Sequence, residues 1–136
     1  MIKTILSIED DSVTQMLNRI ELEDSHFCEH LEEAWNGEVA IKYFEDLKKE
    51  EDGLLHVPEI ILLDLNMPVM HGWEFLELFQ VRYPEFAEKT KIFILSSSIN
   101  PSDREKANSE QLVAGFLSKP LDEFELKILK NACITL

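Results

Sequence analysis

Four stretches of this 136-residue chain place polar, chemically capable side chains directly after apolar runs. "KTILSI" (3–8) is followed by Glu9, Asp10 and Asp11, and "EIILL" (59–63) by Asp64 and then Asn66. "KIFIL" (91–95) leads into Ser96, Ser97 and Ser98, and "VAGFLS" (113–118) into Lys119 and Pro120. A carboxylate after Ile60, Ile61, Leu62 and Leu63 belongs at the edge of a core, where an unpaired charge is costly. Carboxylates gathered at one such edge repel unless a divalent cation sits among them. Hard oxygen donors with room for water suit Mg²⁺, usually with a phosphate oxygen as a further ligand. A pocket of this kind can accept a phosphoryl group, with Lys119 supplying a mobile positive charge and Ser96 a hydroxyl donor. Each piece alone has a plainer meaning. Acid after a strand favours a helix N-terminus, "SKP" is a common turn, and Asp64 alone is an N-cap or Asx-turn residue. The inference rests on acid, acid, hydroxyl and lysine falling in that order after the four apolar runs.

The segments between those runs have helical spacing. In "DSVTQMLNRIEL", Val13, Met16, Leu17 and Ile20 define one helix face, and Ser12 with Gln15 fits a capping box. "GEVAIKYFEDLKKEEDG" (37–53) is a second amphipathic helix with Val39, Ala40, Tyr43, Phe44 and Leu47 on one side, closed by Gly53. A third starts near Gly72, with Trp73, Leu76 and Phe79 on one face and Pro84 just past its end. A polar fourth follows Pro101, with Ser102 and Glu105 as a second capping box. A fifth carries Leu121, Phe124, Leu126 and Leu129. With "HLEEA" (30–34) as a weaker strand, five strands alternate with five helices. Runs this apolar have no wet face, so the expected fold is an α/β doubly wound five-stranded parallel sheet with helices on both sides. Its functional crevice lies at the carboxyl ends of the strands, where Asp10 and Asp64 meet if strands one and three are neighbours.

The totals narrow the function classes. One domain over 1–136 is the expectation, with no repeat or linker to divide it. A net charge of −14 repels phosphate backbones and anionic lipid, so no nucleic acid and no membrane is expected as partner. No apolar run is long enough to span a bilayer, and the early acid after a short apolar start does not fit a secretory signal, which points to the cytoplasm. Cys28 and Cys133 have no metal-binding spacing and are expected to be reduced thiols.

The pieces "ILSIEDD" (5–11), "IILLDLNMPVMHGWEFL" (60–76), "IFILSSS" (92–98) and "GFLSKP" (115–120) together resemble the receiver domain of two-component response regulators, over essentially the whole chain. That resemblance implies the flavodoxin-like (βα)5 fold and makes Asp64 the phosphoacceptor, loaded by a histidine kinase or a histidine phosphotransfer protein. It implies Mg²⁺ or Mn²⁺ as cofactor, held by Asp10 and Asp64, by the backbone carbonyl of Asn66, and by Glu9 through water. Ser96 and Lys119 would contact the phosphoryl oxygens, and Ser96 with Phe116 would form the switch. The Lys119–Pro120 bond would be cis. His71 stands where the family more often has aspartate and is expected to be a surface turn residue. Ser98 and Asn66 match positions that tune phosphoryl lifetime.

With no output domain expected, the signal would pass to a downstream protein, or to a second copy as a homodimer. The implied surface is the face of the fourth helix (101–112), fifth strand (113–118) and fifth helix (121–133). The chain would not be an enzyme beyond its own phosphorylation and dephosphorylation. Two alternatives stand beside this. One is a Mg²⁺-dependent aspartyl-phosphate phosphohydrolase, disfavoured because Asn66 stands where such enzymes need a second acid. The other is a phosphorylation-independent interaction scaffold.

Overall fold

The computed structural model describes residues 2–98 and 100–135. Five parallel strands, β1 (Ile2–Ile8), β2 (Cys28–Ala34), β3 (Ile60–Leu63), β4 (Lys91–Ser96) and β5 (Val113–Ser118), form one sheet in the order β2-β1-β3-β4-β5. Each central strand buries both faces. Leu6, Ile8, Ile61, Leu63, Ile92 and Ile94 point to one side, where they meet Ala40, Ile41, Phe44, Phe75, Leu76 and Phe79. Ile5, Ile60, Leu62, Phe93 and Leu95 point to the other, where they meet Leu22, Leu121, Leu126 and Leu129. A strand apolar at every position can only be satisfied this way, because successive side chains leave opposite faces of the sheet.

Helices α2 (Gly37–Lys48), α3 (Gly72–Arg82) and α5 (Pro101–Ser109) contribute to the first layer, and α1 (Ser12–Asp24) and α6 (Glu123–Thr135) to the second. A one-turn helix, α4 (Pro84–Ala87), was not expected from the sequence. It starts with its proline at the first helical position and buries Phe86 and Ala87. The fourth and fifth helices of the sequence reading are therefore α5 and α6. The second helix ends at Lys48 rather than at Gly53, which instead opens a short 3-10 turn, Gly53–His56.

Both expected capping boxes are corrected. The cap of α1 is Asp11, whose carboxylate accepts from Thr14 N (2.9 Å), and the cap of α5 is Asn100, which accepts from Ser102 N (3.0 Å). In both cases a short acceptor one or two residues earlier reaches the free amides first, so the chosen serines are already inside the helix.

The larger correction concerns which way α1 faces. Val13, Met16, Leu17 and Ile20 are all exposed, between 43% and 57%, whereas Gln15, Asn18 and Leu22 are buried. Spacing identifies a stripe but not what covers it, and here the sheet takes the polar side. Gln15 makes that orientation affordable in hydrogen bonds: its Oε1 accepts from Ser7 Oγ (2.6 Å), and its Nε2 donates to the carbonyls of Ser7 (3.1 Å) and Ala34 (3.4 Å). Similarly, Val39 on α2 and Phe124 on α6 are exposed rather than core residues.

Asn18 has no such arrangement, and neither its Oδ1 nor its Nδ2 meets a protein partner although the residue is buried. Asn18→Leu keeps the branching and the number of heavy atoms and removes two polar atoms that cost about 1–3 kcal/mol when unpaired. The variant is expected to gain on the order of 1 kcal/mol, read as a higher urea midpoint at unchanged slope. A lower midpoint would show that the amide is satisfied in solution.

Candidate functional site

The register of the sheet assembles the site. Ile8 of β1 lies opposite Leu63 of β3, so the residues that follow them, Glu9 and Asp64, emerge side by side. Asp64 N donates to the Ile8 carbonyl and Glu9 N to the Ala34 carbonyl, both at 3.0 Å, fixing the two strand ends. Ser96 lies opposite Ser118 at the end of the β4–β5 pair, and Lys119 N donates to the Ser96 carbonyl (3.0 Å). The Lys119–Pro120 peptide is cis, as the resemblance implied.

After Asp64 the chain must leave the core quickly. Gly72, the first residue of α3, is where it returns, with its N–H donating to the Leu65 carbonyl (2.9 Å). A Cβ there would lie 2.5 Å from the Asp64 carbonyl oxygen and 2.9 Å from Leu65 Cα, so only glycine lets the helix start this close to the end of β3. His71 is the N-cap of α3, its Nδ1 accepting from Glu74 N (3.3 Å), in keeping with a surface role.

Four of the expected residues come together. One carboxylate oxygen from each of Glu9, Asp10 and Asp64 can be chosen so that all lie within 4.8 Å of one another. Glu9 and Asp64 are buried and Asp10 is exposed. Lys119 Nζ reaches Glu9 Oε1 at 2.7 Å and Asp64 Oδ1 at 3.1 Å. Asp64 Oδ1 also accepts from Asn66 N (3.4 Å). Ser96 is buried, and its hydroxyl oxygen accepts from Ser98 N (3.0 Å). Phe116 is half-buried and packs against the first core layer, with the Arg104 guanidinium 4.5 Å above its ring centre.

One ammonium contacts two buried carboxylates, and burial and these contacts together shift all three groups. Burial, reinforced by the Asp64 charge, pushes Glu9 up to about 7 against the opposing hydrogen bond from Lys119. Burial also raises Asp64, again opposed by Lys119. Burial lowers Lys119, but Glu9 and Asp64 more than reverse this and hold it above the ordinary ammonium range. Burial is the largest cause in all three, with Lys119 lowering both carboxylates and the carboxylates raising Lys119. Three hard oxygen donors so placed fit a divalent cation.

A pH dependence follows from Glu9. Between its ordinary 4.5 and about 7, the folded chain holds a proton that the unfolded chain releases. Folding stability contributed by this group is therefore lost as pH rises through that window and is flat above it. In metal-free buffer Tm is expected to fall between pH 5 and pH 8, and Glu9→Gln should flatten that slope. An unchanged slope in the variant would remove Glu9 as its source.

The sequence model of the response regulator receiver domain matches residues 5–129. The chain belongs to that family. The receiver fold is shared with solved structures along nearly the full length. A two-component response regulator from Cytophaga hutchinsonii is 31% identical, with a TM-score of 0.88 over 99% of this chain and 98% of that one. The two-component response regulator ORR41 of Oryza sativa subsp. japonica is 30% identical over 128 residues, 92% of this chain and 89% of its own. The Mn²⁺-bound form of response regulator Rcp1 is 25% identical, with a TM-score of 0.70 over 95% of this chain and 90% of that one. The observed sheet order and all-parallel strands are those of the flavodoxin-like receiver fold expected from the sequence. No helix among the described residues is long and apolar enough to cross a membrane.

What the sequence did not disclose is the support around these residues. Gln15, tying α1 to the ends of β1 and β2, was assigned to a cap. Asp103, which accepts from Ser98 Oγ (2.7 Å) and from Trp73 Nε1 (3.4 Å), had no signal except its place two residues after Pro101.

Proposed function

We propose that this receiver domain accepts a phosphoryl group on Asp64 from a histidine kinase or histidine phosphotransfer protein, in a Mg²⁺-dependent reaction. The observation that carries this is a buried carboxylate within 3.1 Å of the Lys119 ammonium and within one cation's reach of Asp10 and Glu9. An Asp64 oxygen attacks phosphorus, the bond to the donor's imidazole nitrogen breaks, and an acyl phosphate forms. Lys119 and Asn66 N–H hold Oδ1 and fix the orientation of the carboxylate. Lys119 then meets the charge that develops on the transferred oxygens, and the Ser96 hydroxyl supplies a further donor. Asp10, Asp64 and the Asn66 carbonyl, with Glu9 through water, would hold Mg²⁺, which when bound supplies charge neutralisation to the phosphoryl group.

Phosphorylation replaces a charge of −1 by about −2 with three acceptor oxygens. Drawing Ser96 and Lys119 toward those oxygens shifts the population of the face formed by α5, β5 and α6, where Phe116 is half-buried and Phe124 is exposed. That face is our assignment for a downstream protein or a second copy, in the cytoplasm. The exposed stripe of α1, starting three residues after Asp10, is our assignment for the donor. The protein's own chemistry is limited to its phosphorylation and dephosphorylation.

The test is direct. With Mg²⁺ and acetyl phosphate, the chain should gain one phosphoryl mass, mapped to the peptide containing Asp64 and removed by hydroxylamine. A label on any other residue would refute the acceptor, and turnover of a phosphomonoester beyond this self-reaction would favour a phosphohydrolase.

A further inference from the structure

The first turn of α5 touches three separate parts of the molecule. Asp103 Oδ2 accepts from Ser98 Oγ at 2.7 Å, and Oδ1 accepts from the Trp73 indole N–H of α3 at 3.4 Å. Lys106 Nζ sits 4.9 Å from the centre of the same indole. Arg104 covers Phe116 of β5. Ser98 in turn donates its backbone N–H to Ser96 Oγ. Three hydrogen bonds thus lead without a gap from the Ser96 hydroxyl, through Ser98 and Asp103, to an indole on a different helix.

We propose that Asp103 is a positioning residue that couples the Ser96 loop to Trp73, so that phosphorylation of Asp64 is felt on α3 as well as on α5, β5 and α6. The inference rests on the phosphoacceptor reading above. When Ser96 is drawn toward the phosphoryl group, Ser98 moves with it, and its hydroxyl must either drag Asp103 or let go. A charge-assisted O–H···O⁻ bond of 2.7 Å is among the strong links available to a protein, whereas an indole donor at 3.4 Å lies at the limit of a hydrogen bond. The chain of contacts therefore changes at its weak end. Trp73 loses or tightens its carboxylate while Lys106 still covers its ring, and both alter the charge around the indole. Trp73 lines the cleft between α3 and α5 with Leu76, Gln80, Lys106 and Glu110, so the movement reshapes that cleft. A contiguous network is only a route, and the warrant for coupling is a measurement in which one member is removed.

The chain has two tryptophans, so Trp35→Phe leaves Trp73 as the sole indole reporter. The experiment follows indole emission in this background as Mg²⁺ and then acetyl phosphate are added, alongside the labelled fraction by intact mass. The expected result is an emission change that tracks the labelled fraction and is absent with Mg²⁺ alone. Asp103→Ala is expected to reach the same labelled fraction with the emission change lost. Asp103→Asn, which offers one acceptor oxygen in place of two, should show the same loss. A full emission response in either variant overturns the proposal, as does a silent Trp73 in the labelled parent chain. Failure of Asp103→Ala and Asp103→Asn to be labelled would also overturn it, because Asp103 would then belong to the reaction itself. If the parent chain takes no label, the phosphoacceptor reading fails and the coupling falls with it.

Discussion

Asp64→Asn is expected to take no phosphoryl group from acetyl phosphate in Mg²⁺ and yet to unfold at a higher temperature than the parent chain in metal-free buffer. The two effects have one origin. An amide has no anionic oxygen to attack phosphorus, so labelling should fall to background rather than to a reduced rate. The same substitution removes one of two buried carboxylates that crowd a single ammonium. Burial raises both Glu9 and Asp64, so the charged form of each is held against a desolvation cost. Neutralising Asp64 removes that cost and should raise Tm in metal-free buffer. Glu9 keeps its 2.7 Å contact with Lys119 in the variant, so the fold loses no partner it needs. Residual labelling, or a Tm below the parent's, would each contradict this account, the first for chemistry and the second for electrostatics.

Lys119→Met should have the opposite effect on stability and a comparable one on chemistry. The thioether keeps much of the stem and removes the only ammonium in contact with the buried pair among the described residues. Breaking a buried ion pair by deleting one partner costs about 3–5 kcal/mol, because the other charge is left uncompensated. Here two carboxylates are left, and they can escape part of that cost by taking up a proton. The loss is therefore expected to be largest at pH 8, smaller at pH 5.5, and partly recovered by Mg²⁺. In phosphorylation, loss of one preorganised donor to developing charge is worth about 10²–10³ in rate. Denaturant midpoints at the two pH values and a labelling time course check both halves. A variant as stable at pH 8 as the parent, or labelled at the parent's rate, would remove Lys119 from its assigned place.

The sheet and the cluster at its strand ends were legible in the sequence for the same physical reason. Strands such as "EIILL" are buried on both faces, so they appear as unbroken apolar runs, and the residue that ends the run is placed by the fold itself. Glu9, Asp64, Ser96 and Lys119 could be located because each follows such a run. Orientation was less legible. The periodicity of Val13, Met16, Leu17 and Ile20 marks a stripe, but a stripe facing a core and one facing solvent have the same spacing. Only the hydrogen bonds of Gln15 with Ser7 and Ala34 decide between them, and those partners are distant in sequence. Asp103 was illegible because its contacts depend on the separation of α3 and α5. Helix caps failed by one or two residues, where Asp11 and Asn100 competed with adjacent serines for the same amides.

The cluster of Glu9, Asp64 and Lys119 draws on β1, β3 and the end of β5, the last two separated by β4 in the sheet. No contiguous part of the chain much shorter than the whole contains Glu9, Asp64 and Lys119 together, so none can hold the three in contact. Assembly requires long-range parallel pairing, the slow and non-local kind of folding event. If Asp64 is the acceptor, its labelling belongs to the fully folded population alone. In partial denaturant, the initial rate of labelling should follow the native fraction, giving a chemical measure of cooperativity in which a partly folded chain remains unreactive.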